Sequence, residues 1–142
     1  MGILNLKTIE KFIDKQKVSF ISSIDDGGYP NTKAMLRPRK REGLKTFYFS
    51  TNTSSLRVKQ FTVNPSACIY FYHKGLINYT GVMLKGSMEV LTDEESKKMI
   101  WKRGDTRFYK NGVSDPDYCV LKFTSAGGRS YRNLSTENFE IE

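Results

Sequence analysis

Short strand-forming segments separated by turn signals run through most of the chain. The clearest pair is Val18–Ile24, which ends at the turn signal Asp25-Asp26-Gly27-Gly28, and the segment 29–36, which follows that turn. A glycine-rich turn between two such segments is typical of a β-hairpin. Five further strands are predicted from aromatic, β-branched or apolar runs at residues 44–50, 67–72, 79–91, 118–124 and 129–133, with Gly127-Gly128 as the turn before the last.

Two glycines interrupt the longest predicted strand, residues 79–91. Gly81 and Gly86 mark bends or bulges of the kind that curve a sheet. The preceding run 67–72 is continuously apolar and aromatic, so we expect a central strand that is buried on both faces. Together with three helices, these strands predict a mostly β, antiparallel barrel formed by all 142 residues as a single domain.

Three helices are predicted to flank the barrel. The first covers residues 6–14, and the second begins within the hydroxyl-rich segment after the third strand and stops at Asn64-Pro65. The third covers residues 92–102 and starts with a capping box, in which Thr92 is the cap and Glu95 stands three residues on. The positions of this helix predicted to face inward are Met99 and Ile100.

The charge balance bears on the kind of partner. With 23 basic and 15 acidic residues, the chain has a formal net charge of +8, which favours a phosphorylated or polyanionic partner. One basic cluster falls in a predicted exposed turn and keeps nucleic-acid binding as an alternative hypothesis. The cluster lacks the interleaved aromatic residues on which bases stack, so we favour a small phosphorylated ligand. Its members are Arg37, Arg39, Lys40 and Arg41.

Cysteine and histidine content limits the chemistry that the chain can perform. Cys68 and Cys119 each lie in an apolar run, so we expect buried free thiols, and His73 is the single histidine. Without a Cys-x-x-Cys pair or further histidines, neither a zinc site nor a Ser-His-acid triad is expected. The amino terminus lacks the apolar core of a secretion signal, and no segment approaches the length of a membrane span. We therefore expect a cytoplasmic protein without a metal.

A cluster of short polar side chains between the strand 44–50 and the second helix forms a candidate phosphate site. The first N–H groups of a helix lack intrahelical partners and carry the positive end of its dipole, so they stabilise an anion. Arg57, in the first turn, adds a planar guanidinium. The same residues also fit an ordinary capped surface helix, and the local sequence does not distinguish such a helix from a phosphate site. The polar residues are Thr51, Asn52, Thr53, Ser54 and Ser55.

The order of these motifs resembles that of the pyridoxamine 5′-phosphate oxidase-like family, the FMN-binding split β-barrels with a Greek-key-like arrangement. Within that family the chain is most similar to the short bacterial general stress proteins. The resemblance covers about residues 6–139, and it lies in the joint order of motifs that are not diagnostic singly. These are a hairpin with Tyr-Pro-Asn-Thr-Lys-Ala-Met, an aromatic strand ending in Ser-Thr-Asn, a Ser-x-Arg helix closed by Asn-Pro, and a late Asp-Pro-Asp-Tyr-Cys-Val-Leu-Lys-Phe strand.

The resemblance implies a set of FMN contacts on two strands. In the family, a basic residue three positions after a proline lies near the flavin phosphate, and Lys33 takes that place after Pro30. The residues that follow it edge the isoalloxazine ring, and the motif after the aromatic strand contacts the pyrimidine side of the ring. The matching residues here are Ala34 and Met35 on the hairpin, and Ser50, Thr51 and Asn52 at the end of the aromatic strand.

The helix start matches the family only in part. Ser55 and Arg57 match a serine and the second of two basic residues that hold the phosphate, but Leu56 replaces the first basic residue. One phosphate cation is therefore missing or is supplied elsewhere, with Lys59 as the candidate. An aromatic residue late in the chain packs near the flavin in many relatives, and Tyr131 is the nearest equivalent.

The resemblance also implies a homodimer with FMN at the subunit interface, for which the apolar segments 67–72 and 79–83 are suitable surfaces. Our leading hypothesis is an FMN-dependent oxidoreductase that uses a small-molecule electron donor or substrate. The authentic oxidases carry a carboxyl-terminal extension with substrate-binding arginines and a tryptophan, and this sequence has none before Glu142, so we do not expect pyridoxamine 5′-phosphate oxidation. The alternative is a non-catalytic binder of flavin, of a deazaflavin, or of haem held by His73.

Overall fold

The computed structural model describes residues 5–142 as one eight-stranded antiparallel sheet flanked by helices. The helices are α1 (Leu6–Lys15), α2 (Leu56–Val63) and α3 (Glu94–Ile100), and two short 3-10 helices cover Arg103–Arg107 and Gly112–Ser114. The strands are β1 (Val18–Ile24), β2 (Pro30–Leu36), β3 (Lys40–Glu42), β4 (Thr46–Asn52), β5 (Ser66–Lys74), β6 (Tyr79–Leu91), β7 (Tyr118–Arg132) and β8 (Ser135–Glu140). Residues 1–4, part of the segment on which the absence of a secretion signal was predicted, lie outside the described residues.

The strand order is β2-β1-β5-β6-β7-β4-β3, with β8 beside β7. Strand β4 pairs with the first half of β7 and β8 with its second half, while β6 pairs along both halves. The predicted mostly β, antiparallel fold of the split-barrel type with three flanking helices is confirmed.

The hairpin of β1 and β2 forms as predicted. Ile24 pairs with Pro30 at its end, and the Asp25 carboxylate accepts hydrogen bonds from the N–H groups of Gly27 and Tyr29 at 2.9 and 2.8 Å. An aspartate that bonds the backbone of its own turn in this way is a common means of closing a tight turn. This hairpin brings Lys33 to the open edge strand of the sheet.

Strand β5 has one buried face and one partly covered face. The residues that point into the core are Ala67, Ile69 and Phe71, and those on the outer face are Cys68, Tyr70 and Tyr72. Tyr72 is 42% exposed, so the prediction that this segment is buried on both faces is wrong for the single chain. The predicted burial of the thiols is confirmed for Cys119, whereas Cys68 is only partly buried.

Strand β7 continues through Gly127-Gly128, where the sequence predicted a turn. A Cβ atom on Gly128 would collide with the Met83 carbonyl oxygen and the Phe139 ring, so this glycine allows three strands to approach closely. The irregularity lies instead opposite the pair Lys85/Gly86, where the register shifts and the sheet bends. The predicted bend at Gly86 is thus confirmed, but the predicted turn and separate last strand are not.

The basic cluster 37–41 is not the solvated turn that the sequence predicted. Lys40 begins strand β3, and the Arg41 guanidinium donates to the Glu10 and Asp14 carboxylates of α1 at 2.7 to 2.8 Å. Arg39 is paired with Asp105. These ion pairs could not be predicted from the sequence, because the acidic partners lie far away along the chain. Lys40 also lies 3.7 Å from the Glu42 carboxylate, so three of the four cations invoked for nucleic-acid binding are already engaged with carboxylates.

Helix α3 is capped one residue later than predicted. The Asp93 carboxylate, rather than the Thr92 hydroxyl, accepts from the Ser96 N–H group at 2.9 Å, and the helix ends at Ile100 instead of about residue 102. Ile100 faces inward as predicted, but Met99 is 40% exposed. A carboxylate beside the positive end of the helix explains the preference for Asp93 as the cap.

Two absences in residues 5–142 bear on function. None of the helices in that range has the length and apolar character required to cross a bilayer. Within the same range, no group of three or more His, Cys, Asp or Glu side chains is placed to hold a metal ion.

Candidate functional site

A cleft with two compartments lies between β2, the end of β4 and the start of α2. The cationic compartment has a volume of about 390 Å³, and the aromatic compartment has a volume of about 540 Å³. Lys33, Asn52 and Arg57 line both compartments and form the boundary between them. Ser55, Leu56 and Gln60 complete one side of the cationic compartment. The aromatic compartment is bounded in addition by Val18, Ala34, Met35, Leu36, Arg37, Arg39, Ser50, Thr51, Phe108 and Tyr109.

Arg57 is the most unusual side chain in the cleft. Its Nη2 donates to the Thr51 hydroxyl at 3.1 Å, but its Nε is buried and has no acceptor. No carboxylate of residues 5–142 lies within ion-pairing distance of it. Burial lowers the pKa of the Arg57 guanidinium below its ordinary value, yet arginine remains charged at neutral pH. Arg57 is therefore a half-buried cation without a carboxylate partner, and an anion beside it would compensate its charge, so this side chain marks a candidate anion site.

The polar turn before α2 is held in place by the start of β7. The Thr53 N–H group donates to the Asp117 carbonyl oxygen at 2.7 Å, and the Ser54 N–H group donates to the Asp117 carboxylate at 2.9 Å. The Ser55 hydroxyl accepts from the Val58 N–H group at 3.4 Å and so caps the helix. Ser55 is thus a cap, as the structural alternative held, while the first N–H groups of α2 remain available to an anion beside Arg57.

Lys33 provides a second cation on the opposite side of the cleft. It is exposed on β2, pairs in register with Ile21 of β1, and has no carboxylate within 4 Å among residues 5–142. Arg57 and Lys33 therefore face one space from the helix and from the strand, with no acidic residue lining either compartment. The electrostatics favour an anionic group near the boundary of the two compartments.

A larger groove of about 730 Å³ lies outside this cleft and carries two lysines. The Lys45 ammonium donates to the Ser125 carbonyl oxygen at 3.1 Å, and Lys85 is exposed to solvent. Neither cation is buried without an acceptor in the way that Arg57 is. Despite its size, this groove has a weaker chemical basis for anion binding than the cleft.

The structure brings together most of the residues that the sequence predicted for the site. Lys59 and Tyr131 line neither compartment: Lys59 is an exposed residue of α2, and Tyr131 lies on β7 with its ring 6.3 Å from that of Tyr70. Those that line the cleft are Lys33, Ala34, Met35, Ser50, Thr51, Asn52, Ser55 and Arg57.

Phe108 and Tyr109 are cleft residues that the sequence reasoning missed. They follow the 3-10 helix Arg103–Arg107, a segment that carries no clear periodicity, and their adjacent aromatic rings were the only available signal. Tyr109 is only 8% exposed, and burial raises the pKa of its hydroxyl, with the neighbouring Ser50 hydroxyl opposing this. The cleft thus combines a cationic end with an aromatic side, which suits a flat ligand that carries an anionic group.

The sequence matches the family model described as pyridoxamine 5′-phosphate oxidase over residues 6–132. Among solved structures, a Clostridium acetobutylicum protein related to general stress protein 26 of Bacillus subtilis is 38% identical, with a TM-score of 0.84, and the match covers 96% of this chain and 94% of that one. General stress protein 26 of Bacillus anthracis is 18% identical, with a TM-score of 0.75 and coverage of 96% and 98%. A heme binding protein of Mycobacterium smegmatis is 11% identical, with a TM-score of 0.76 and coverage of 99% and 60%. A comparison with curated proteins gave no match.

Proposed function

The chain belongs to the pyridoxamine 5′-phosphate oxidase family, and from this premise we propose that it is a flavoprotein that binds FMN in the cleft. The observation that carries the proposal is Arg57, a half-buried side chain whose Nε is buried without an acceptor and which has no carboxylate partner among residues 5–142. A phosphate group is the ligand that a planar guanidinium and the start of a helix bind well together.

The residues present fit FMN at both ends of the molecule. Arg57, Lys33 and the N–H groups at the start of α2 would hold the phosphate, with Asn52 at the boundary of the compartments. The ring system would lie in the aromatic compartment beside Ala34 and Met35 of β2 and Ser50 and Thr51 of β4. The apolar and aromatic side chains of this compartment exclude water from a flat ring, and the backbone of β4 offers hydrogen-bonding groups to its polar edge.

Bound FMN would supply the redox chemistry by accepting a hydride from a donor and passing electrons to a substrate. The protein would bind and orient the cofactor and tune the ring through the polar groups near Thr51. Tyr109 is the one cleft hydroxyl that is both buried and aromatic, and its raised pKa keeps it protonated at neutral pH. Its neutral hydroxyl is thus a hydrogen-bond donor within the aromatic compartment.

Because Leu56 replaces a basic residue, the start of α2 supplies one phosphate-binding cation where the family pattern has two. It is 64% exposed at the first position of α2 and brings no charge to the cleft. Lys33 is the second cation that faces the same space, whereas Lys59 lines neither compartment. We propose that Lys33, rather than Lys59, compensates for the replacement at position 56.

We propose that the protein is a homodimer whose partner covers the outer face of β5, β6 and β7. Four partly exposed tyrosines cluster on this face, with ring centroids of neighbouring pairs 6.3 to 6.4 Å apart. Leu76, Ile77 and Leu134 at the adjacent hairpin tips are more than 90% exposed. Exposed apolar surface of this extent is typical of an interaction site. The tyrosines are Tyr70, Tyr72, Tyr79 and Tyr131, so the contact predicted for Tyr131 would be made across the dimer interface.

A protein that binds FMN could be either an enzyme or a non-catalytic flavin binder. An absorbance spectrum of the freshly purified protein, recorded before and after addition of NADH or NADPH, distinguishes them. We expect flavin bands that bleach rapidly with a nicotinamide donor, as an oxidoreductase requires. Stable bands without bleaching would favour a store or sensor, and a colourless protein that takes up no added FMN would overturn the proposal.

Haem binding has little support from this chain. The Mycobacterium smegmatis heme binding protein is similar at 11% identity, which bears on the fold alone. His73, the only histidine, is exposed near the end of β5 and lines neither compartment of the cleft. The cytoplasmic location predicted from the sequence stays a prediction.

A further inference from the structure

One wall of the cleft is formed by the segment 103–109, which we call the strap. It consists of the 3-10 helix Arg103–Arg107 followed by Phe108 and Tyr109, and both aromatic residues line the aromatic compartment. Phe108 is 62% exposed at the rim, so it contributes little to the stability of the fold. A large apolar side chain that is held at the rim of a cleft without being buried points to a role in binding.

An ion pair fixes the strap to the sheet. The Arg39 guanidinium donates through Nη1 and Nη2 to the two carboxylate oxygens of Asp105, at 2.8 and 2.7 Å. The two side chains are only 13% and 5% exposed. Arg39 Nη1 also donates to the Ile100 carbonyl oxygen at 3.2 Å, and the Asp105 carboxylate accepts from the Lys102 N–H group at 2.9 Å. A buried bidentate pair with all these contacts holds its two segments in one geometry.

Aromatic packing also holds the end of the strap, at Tyr109, in place against the fold. The Tyr109 ring lies 5.0 Å from that of Tyr118 and 6.3 Å from that of Trp101, measured between centroids. These residues belong to a second apolar cluster beneath α3, separate from the main core of the sheet. The strap is therefore anchored twice, by the ion pair at Asp105 and by the aromatic cluster at Tyr109.

We propose that Asp105 is a positioning residue which, through its pair with Arg39, holds Phe108 and Tyr109 as the wall against which the flat ring of a ligand packs. The inference rests on the proposed function for the identity of that ring, but the positioning itself is a property of the cofactor-free chain. Arg57 and Lys33 retain the anionic group, whereas the strap retains the ring. Loss of the pair should therefore weaken ring binding. Riboflavin reports this effect alone, because the Arg39 guanidinium released from Asp105 lines the aromatic compartment and would attract a phosphate.

The test compares two variants that each lose an arginine–aspartate pair. Asp105→Asn removes the pair at the strap, and Asp14→Asn removes the bidentate pair with Arg41, which joins α1 to β3 and lines neither compartment. Trp101 is the only tryptophan in the chain and lies in the aromatic cluster, so its quenching by acrylamide reports the position of the strap without any ligand. Arg39→Lys, which keeps the charge but loses the bidentate geometry, serves if Asp105→Asn does not fold.

In the cofactor-free proteins, we expect acrylamide to quench Trp101 more strongly in Asp105→Asn than in the wild type and in Asp14→Asn. In titrations, Asp105→Asn should raise the Kd for riboflavin about tenfold, the order expected for losing one well-placed contact, and should raise the Kd for FMN by a smaller factor. Equal quenching in all three proteins, or equal riboflavin affinities in the two variants, would overturn the proposal. If the wild type binds neither flavin, the proposed function fails, and the quenching comparison alone decides whether Asp105 positions the strap.

Discussion

Three arginines show how much the surroundings of one residue type decide its role. Arg39 and Arg41 are neutralised by carboxylates, whereas Arg57 has only the Thr51 hydroxyl as a hydrogen-bond partner among residues 5–142. Arg57 was identified from the sequence by its position at the start of a helix. The basic cluster 37–41 was considered for nucleic-acid binding from its charge alone. The pairing of Arg39 with Asp105 could not be predicted, because 66 residues separate them along the chain.

At the same scale, Leu56 offers a gain-of-affinity prediction. Leu56→Arg restores a cation at the first position of α2, where the side chain is 64% exposed and its replacement leaves the core intact. We expect the Kd for FMN to fall about threefold, as one additional exposed charge contact would produce. Fluorescence titration measures it, with Val63→Arg, 80% exposed at the far end of the same helix, as the control. An unchanged Kd in Leu56→Arg would contradict the placement of the phosphate.

At the scale of elements, the sequence predicted the strands and helices well where the local signal agrees with the packing. The hairpin, the start of α2 and the long strand β6 all follow from turn residues, caps and periodicity. The prediction of a turn at Gly127-Gly128 was wrong, because glycine occurs both in turns and at places where two strands pack closely together. Only the pairing register of the strands shows which of these two roles a glycine has. The strap could not be predicted, because its position depends on an ion pair and on aromatic contacts formed by distant segments.

This account of Gly128 yields a stability prediction. Gly128→Ala places a methyl group against the Met83 carbonyl oxygen and the Phe139 ring, so the strands must separate locally. We expect the free energy of unfolding to fall by about 2 kcal/mol, as overpacking of a dense interior does. In Gly104→Ala the new methyl group meets no atom within 4 Å, and its unfolding should differ little from that of the wild type. Urea denaturation compares them, and equal midpoints would show that Gly128 is not needed for close packing.

At the scale of the whole molecule, the outer sheet face exposes a cluster of aromatic and apolar side chains. The tyrosine cluster and the hairpin tips occupy one continuous end of the sheet, where Asn133 links the two tips through hydrogen bonds to Tyr79 and Asn78. The sequence predicted an apolar interface in this region, and the structure identifies which side chains point outward. Which residues of a second chain they would contact is not encoded in any local pattern.

If the protein is a homodimer, its mass in solution should be twice that of the chain, and charged substitutions on the outer sheet face should halve it. The wild type should elute in light-scattering chromatography at twice the 16.3 kDa of the chain. The double variant Tyr72→Lys and Leu134→Glu places charges on the apolar face and should elute as a monomer, because burying unpaired charges in an interface is costly. Val63→Glu, an equally polar change on α2, is the control and should remain a dimer. A monomeric wild type saturated with FMN would contradict the proposal.

The central claim is that Arg57 anchors the phosphate of FMN, and calorimetric titration with FMN and with riboflavin tests it most directly. Lys59→Ala is the matched control, since Lys59 lies on the same helix but lines neither compartment. We predict that the wild type binds one FMN per chain, that Arg57→Ala weakens FMN binding at least tenfold through loss of charge-assisted hydrogen bonds, and that riboflavin binding is unchanged. Lys59→Ala should bind both flavins like the wild type. A wild type that binds no FMN, or an Arg57→Ala variant that binds it equally well, would contradict the claim.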